Sequence, residues 1–364
     1  MKIGIITLPL HVNYGGILQA YAMQQMLKSL GHAPVLIEKK RPQRAARARS
    51  AMLKPAYTLL GAVTGRTILT PYEQKRMCKE RLSVHTEQFI RSNIRRLMVD
   101  NFRQTADEGY DAIIVGSDQI WRPSQFPDIR QAYLAFAEGW PIRRVAYAAS
   151  FGTDAWEYTR RQTRECGRLL HTFDAISVRE QGGISLCREH LKAEARQVLD
   201  PTMMLTPQDY EKLYAGNATK PSGGTMLCYI LDDSPQKTAL TARLAAEKGL
   251  VPFSVKAVTD TGAMTPVEQW LRGFDDAQYV VTDSFHACVF SILYNKPFLA
   301  IGNAMRGMAR FTSLLGMFGL EDRLVQEDDA AIPDDEIDWA SVNARLDDWR
   351  KASLSFLKNG LGAE

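Results

Sequence analysis

The sequence has no Cys-x-x-Cys pair, no apolar run long enough to cross a bilayer and no Gly-x-Gly-x-x-Gly fingerprint. Each absence removes a class of protein. The five cysteines, at 78, 166, 187, 228 and 288, are odd in number and scattered. That excludes a disulfide framework and a zinc ribbon, and it fits reduced thiols in a cytosol. The least polar stretch, residues 55–65, is 11 residues long, against the roughly 20 a spanning helix needs. The opening Met1-Lys2-Ile3-Gly4-Ile5-Ile6 lacks a basic segment followed by a long apolar one, so no signal peptide is expected. The expected location is cytoplasmic, free or peripheral on the inner face of a membrane. Solenoid-length repeats, low-complexity tracts and known nucleic-acid-binding motifs are missing too, so no nucleic-acid partner is expected.

What is present is an ordinary globular composition, 45% hydrophobic and 24% charged over 364 residues. That length calls for two domains. The net charge of +4 is uneven: residues 39–81 hold twelve Lys or Arg against Glu73 and Glu80, net +10, leaving −6 elsewhere. The same stretch carries Met52, Leu53, Tyr57, Leu59 and Leu60. It reads equally as a surface for anionic lipid and as a solvated insertion.

Strand-like and helix-like patterns alternate, the mark of an α/β fold with parallel sheets. Strands are expected at 2–7, 33–37, 112–115, 144–149, 175–178 and 197–199, with a helix over 16–30 and a patternless basic insertion to about 105. Asp200-Pro201 and the polar stretch to Gly224 read as a domain boundary. A second α/β unit follows, with strands at 226–231, 251–255, 279–282 and 298–301 and helices at 236–248, 267–273 and 284–293. Trp339, Val342, Leu346 and Trp349 lie at helical spacing, so a terminal helix should dock on a domain. The expected organisation is therefore 1–200, 201–335 and a helix in 336–364.

Ligands of such sheets bind beyond the carboxyl ends of the strands, so five loops become candidates. Asn13-Tyr14-Gly15-Gly16 lets backbone N–H groups approach an anion or a sugar hydroxyl, and it also fits a tight turn. In Gly116-Ser117-Asp118-Gln119-Ile120-Trp121, Asp118 and Gln119 suit hydroxyls and Trp121 offers a ring for a sugar. Ser117 or Asp118 capping a helix is the plainer reading. Arg179 presents a fork suited to carboxylate or phosphate, or else a partner for Glu180. His286, opening a helix after an apolar strand, suits proton transfer near neutral pH, with Asp283 to orient the ring or cap the helix. Arg306 and Arg310 add charge at the same edge. No metal-binding histidine cluster accompanies them.

Taken in order, these motifs resemble the polysaccharide pyruvyl transferase family. The resemblance also draws on Ala146-Tyr147-Ala148-Ala149-Ser150-Phe151-Gly152, Leu199-Asp200-Pro201, Thr282-Asp283-Ser284-Phe285-His286-Ala287 and Lys296-Pro297-Phe298, and it runs from Lys2 to about Leu320. It implies two facing Rossmann-like domains similar to the B-type glycosyltransferase (GT-B) architecture. It implies transfer of a pyruvyl group from phosphoenolpyruvate to two hydroxyls of a lipid-linked or nucleotide-linked sugar, giving a cyclic ketal, with no further cofactor and no metal. His286 and Arg179 inherit the catalytic places. Donor binding falls to Arg179, Ser284, Arg306 and Arg310, because Ser284 stands where better-described members carry an arginine. Acceptor binding falls to Asn13, Tyr14, Gly15, Gly16, Ser117, Asp118, Gln119 and Trp121. Two other readings stay open: a glycosyltransferase using a nucleotide sugar, with Asp232, Asp233 or Asp260 on the ribose, and a catalytically silent binding subunit of a polysaccharide assembly complex.

Overall fold

In the computed structural model, all residues are described except 41–43, 217–218, 220, 256–261, 303–307, 328–331, 334–335 and 363–364. The first half builds a seven-stranded sheet from β1 (Lys2–Ile6), β2 (Ala33–Lys39), β3 (Arg96–Val99), β4 (Ala112–Val115), β5 (Arg143–Ala149), β6 (Ala175–Val178) and β7 (Arg196–Gln197). Every pair is parallel, in the order β3-β2-β1-β4-β5-β6-β7. The second half builds a five-stranded parallel sheet from β8 (Met226–Tyr229), β9 (Pro252–Phe253), β10 (Tyr279–Thr282), β11 (Phe298–Ile301) and β12 (Leu324–Val325), in the order β12-β11-β10-β8-β9. Ile3, Ile5, Ile6 and the whole of β4 are fully buried, as expected of strands covered by helices on both faces. The chain thus forms two Rossmann-like domains. Strand order reverses between β1 and β4 in one sheet and between β8 and β10 in the other, the two places where a crevice opens.

Among the described residues the α-helices are α1 (Tyr14–Ser29), α2 (Arg44–Thr64), α3 (Pro71–Leu82), α4 (Val84–Asn93), α5 (Arg160–Leu170), α6 (Gln181–Leu186), α7 (Pro207–Tyr214), α8 (Pro235–Lys248), α9 (Val267–Asp276), α10 (Phe285–Leu293), α11 (Met308–Phe318) and α12 (Trp339–Leu361). The stretch expected to be patternless to residue 105 instead holds α2, α3, α4 and the edge strand β3. The strand was hidden because Arg96–Val99 is short and only Val99 is buried. Strand β12 went unrecognised because it is two residues long.

The two halves meet at α1. The Tyr14 ring stacks on Trp270 of α9 at 5.3 Å between centroids, and its hydroxyl donates to the Thr265 carbonyl at 2.7 Å. Helix α12 returns from the second half and lies against β5 and β6 of the first. On the way, Arg350 donates to the carbonyls of Met203 (2.8 Å) and Leu205 (2.7 Å), and the Leu199 amide donates to Ser353 Oγ at 3.0 Å. Gly360 permits the close approach: a Cβ there would stand 2.8 Å from Ala175 Cβ and 3.3 Å from Val145 Cγ2. Overpacking at such a point costs about 1–3 kcal/mol. Gly360→Val should therefore lower the urea midpoint by that equivalent; an unchanged midpoint would mean that α12 is not seated on this sheet.

Candidate active site

The loops after β1, β4, β8 and β10 enclose a cleft of about 470 Å³ between the domains. Two helix N-termini look into it from opposite sides. Asn13 precedes α1 and Ser284 precedes α10, and neither side chain caps its helix. The first-turn amides and the positive ends of both helix dipoles are thus available to an anion in the cleft.

His286, in the first turn of α10, forms part of the wall. Its ring packs so closely on Gly15 that a Cβ there would stand 2.0 Å from Nδ1. No residue other than glycine fits at 15 with the histidine in place. On the opposite edge, Nε2 lies 3.7 Å from Asp200 Oδ2. That is longer than a hydrogen bond, and among the described residues the enclosed Nε2 has no hydrogen-bond partner. An ionised carboxylate can only accept, so beside Asp200 the ring nitrogen suited to donate is Nε2, while Nδ1 lies against Gly15.

Asp200 is the residue that sequence reasoning missed, having been taken as part of a domain boundary. Its Oδ1 accepts from the Thr202 amide (3.0 Å) and hydroxyl (2.7 Å). Its Oδ2 accepts from Arg179 Nη1 (2.8 Å) and Ser117 Oγ (3.2 Å). Burial by itself raises a carboxyl pKa, but His286 and Arg179 outweigh it and hold Asp200 well below the ordinary carboxylate range. A signal was present in the chain: a carboxylate directly after an apolar strand, beside the cleft-facing end of the sheet.

Arg179 requires a correction. Its side chain is 3% exposed and lies among three carboxylates: Asp200, Asp118 at 3.6 Å from Nη2 and Glu180 at 3.8 Å from Nε. Burial opposes its charge, while these three carboxylates favour it and keep the guanidinium protonated. It stands behind the cleft as the counter-ion of Asp200, not as a fork open to a ligand.

Arg310 and Arg179 both lie over the Phe285 ring, at 5.6 and 4.4 Å from its centroid. Burial, and then the nearby Arg179 cation, push Arg310 down to about 10, with Asp118 and Glu180 opposing. It stays cationic at neutral pH and, unlike Arg179, contributes to the cleft wall. Arg306 lies outside the described residues, as does Asp260.

The remaining expectations divide. Asn13, Gly15, Asp118, Gln119 and Ser284 all border the cleft, with Asp118 in left-handed backbone at φ 62°. Gln119 Oε1 accepts from Arg122 Nη1 at 3.1 Å. Tyr14 borders it too, but its hydroxyl is committed to Thr265; burial, then Tyr229, raise its pKa far out of the range of a proton carrier. Gly16 is buried, its carbonyl taken by Gln19 Nε2 at 3.0 Å, and Ser117 belongs to the Asp200 network. Trp121 is not a sugar platform. It is fully buried, stacked on Tyr133 at 5.0 Å, with Nε1 donating to the Ala132 carbonyl at 3.2 Å. Asp283 does not orient the histidine: it accepts from the amides of Leu231 (2.7 Å) and Asp232 (3.1 Å) and pairs with Lys237 at 2.8 Å. It ties β10 to the loop after β8.

The family model described as polysaccharide pyruvyl transferase matches residues 13–304. No curated protein matches the chain. Among solved structures, similar ones include UDP-GlcNAc 2-epimerase from Neisseria meningitidis bound to UDP-GlcNAc, at 8% identity and TM-score 0.44 over 99% of this chain and 96% of that one. UGT89C1 of Arabidopsis thaliana complexed with UDP-L-rhamnose is similar at 9% identity and TM-score 0.47, over 99% and 98%.

The Asp200 network sets a sign for pH dependence. Its carboxyl titrates lower in the folded chain than in the unfolded one, near 3.9. Its stabilisation is therefore complete above roughly pH 4 and is lost as pH falls toward the folded value. Asp200→Asn should cost about 3–5 kcal/mol at pH 7, as when one partner of a buried pair is removed. It should also flatten the fall of the urea midpoint below about pH 5. A variant with the parental acid slope would contradict the pairing.

Proposed function

Because the chain belongs to the polysaccharide pyruvyl transferase family, we propose that it moves the pyruvyl group of phosphoenolpyruvate onto two hydroxyls of a sugar, closing a cyclic ketal. The observation that carries this reading is the His286–Asp200 couple in the cleft wall, with Nδ1 against Gly15 and two helix N-termini beside it. The donor bears a phosphate and a carboxylate. Arg310 and the first-turn amides of α10 and α1 are the groups that receive them, and Ser284 lies at the rim of that anion site.

The chemistry follows from which nitrogen is free. Imidazolium Nδ1 gives its proton to the methylene carbon of the donor, making it a methyl group and leaving an oxocarbenium-like centre next to it. A sugar hydroxyl attacks that centre and passes its proton to the now neutral Nδ1. The carbon–oxygen bond to phosphate breaks, and a second hydroxyl closes the ring, its proton going to the departing phosphate, which leaves as inorganic phosphate. One donor and one diol become one ketal and one phosphate, so a single histidine serves as acid and then as base. Asp200 steadies the imidazolium, and Arg179 keeps Asp200 ionised; in this reading Arg179 is a positioning residue. Asn13, Gln119 and Asp118 are placed to meet hydroxyls of the acceptor, a lipid-linked or nucleotide-linked sugar.

General acid–base catalysis by a positioned side chain contributes typically about 10²–10⁴-fold. His286→Ala should lower kcat by that order in a chain that still folds, at a somewhat lower melting temperature because Asp200 loses one partner, read as phosphate release from phosphoenolpyruvate with a panel of such sugars; near-normal turnover would remove His286 from the reaction. Arg310→Ala should raise KM for the donor by about tenfold or more, the loss of one charge-assisted contact, and an unchanged KM would remove it from the anion site.

A further inference from the structure

The helix that follows β2 presents a surface that the catalytic reading leaves unused. Helix α2 makes its contacts through one face. Ser50 Oγ hydrogen-bonds Thr70 Oγ1 at 2.6 Å, Lys54 pairs with Glu73 of α3, and Gly61 abuts the Arg66 carbonyl. The opposite face carries Met52, Ala56, Leu59 and Val63, spaced four, three and four residues apart, which aligns them in one stripe. Met52 is 82% exposed, Leu59 69% and Val63 78%, with Leu60 beside them at 51%. An apolar row this open is a mark of an interaction surface, and helices of this kind draw most of their stability from covering such a face.

The charge around the stripe is of one sign. Residues 39–81 hold twelve lysines and arginines against two glutamates, and both glutamates already pair with basic side chains, Glu73 with Lys54 and Glu80 with Arg76. Apolar side chains on one face and unbalanced cations around them complement an anionic lipid surface.

We propose that the α2–α3 hairpin is an in-plane anchor that seats the protein on an anionic leaflet, with the stripe among the acyl chains and the basic residues at the phosphate level. Among the described residues no helix is long and apolar enough to cross a membrane, so the anchor lies along the surface. Its base is also the rim of the cleft. The Met264 amide donates to the Leu82 carbonyl at the end of α3 (3.0 Å), and Met264 borders the cleft. A hairpin held by lipid therefore brings the cleft mouth to headgroup level, where a sugar carried on a lipid is presented. The anchoring stands by itself; that the acceptor is lipid-linked rests on the pyruvyl transfer reading.

The test is sedimentation of the full chain with vesicles of phosphatidylcholine, and of phosphatidylcholine mixed with phosphatidylglycerol. The protein should pellet with the mixed vesicles alone and be released as salt is raised. The triple variant Met52→Glu, Leu59→Glu, Val63→Glu should lose about tenfold or more in vesicle affinity while keeping its melting temperature and its phosphate release with a water-soluble acceptor. Protein left in the supernatant with both vesicles, equal binding to both, or a triple variant that binds like the parent would overturn the anchor. So would a dimer that the triple variant abolishes in the absence of lipid, since it would assign the stripe to a second copy. Vesicle binding is read without substrate, so a failure of the transferase reading would register only in phosphate release.

Discussion

The cost of burying a charge governs this molecule, and the charge is the Asp200 carboxylate at the junction of the two halves. An ionised group there is tolerated only when paired and hydrogen-bonded. The chain meets that demand with the Thr202 amide and hydroxyl, Ser117 Oγ from the loop after β4, Arg179 from the end of β6 and His286 from the second sheet. Each partner comes from a different element, so satisfying one carboxylate fixes how those elements stand. The same arrangement sets the imidazole with Nε2 on the Asp200 side and Nδ1 against Gly15. In the proposed reading, stability and chemistry thus depend on a single set of contacts.

The glycine at 15 is the complement of that arrangement. The α1 N-terminus reaches the imidazole because no side chain intervenes, and the α10 N-terminus is already there because His286 belongs to its first turn. Both helices point their positive ends at one space, with Arg310 at its edge. In the proposed reading these groups receive a small, multiply charged anion, which is the character of the proposed donor.

Much of this was legible in the sequence, and the reason differs from element to element. Strands buried on both faces are mostly apolar runs, so β4, β10 and β11 could be read to the residue. Strand β3 shows no such run because only Val99 is buried, and β12 is too short for any pattern. His286 was legible from its place at the end of an apolar strand. Asp200 was not: Asp-Pro before a polar stretch is also how a linker reads, and only the folded chain brings residue 200 to residue 286. Trp121 failed for the converse reason. Gln119 and Arg122 near it in sequence are polar, while the ring that stacks on it, Tyr133, lies twelve residues on. Arg179 was located correctly but its partners were not visible, since Asp118 and Asp200 approach it only through sheet order.

The reading of the site stands on a proton passing from a solvent-exchangeable nitrogen to the methylene carbon of phosphoenolpyruvate. The most direct measurement is to run the reaction in deuterium oxide and examine the product methyl group by NMR. The account predicts a ketal whose methyl carries one deuterium, formed together with one equivalent of phosphate. A ketal methyl with no deuterium, or phosphate released without any ketal, would contradict it.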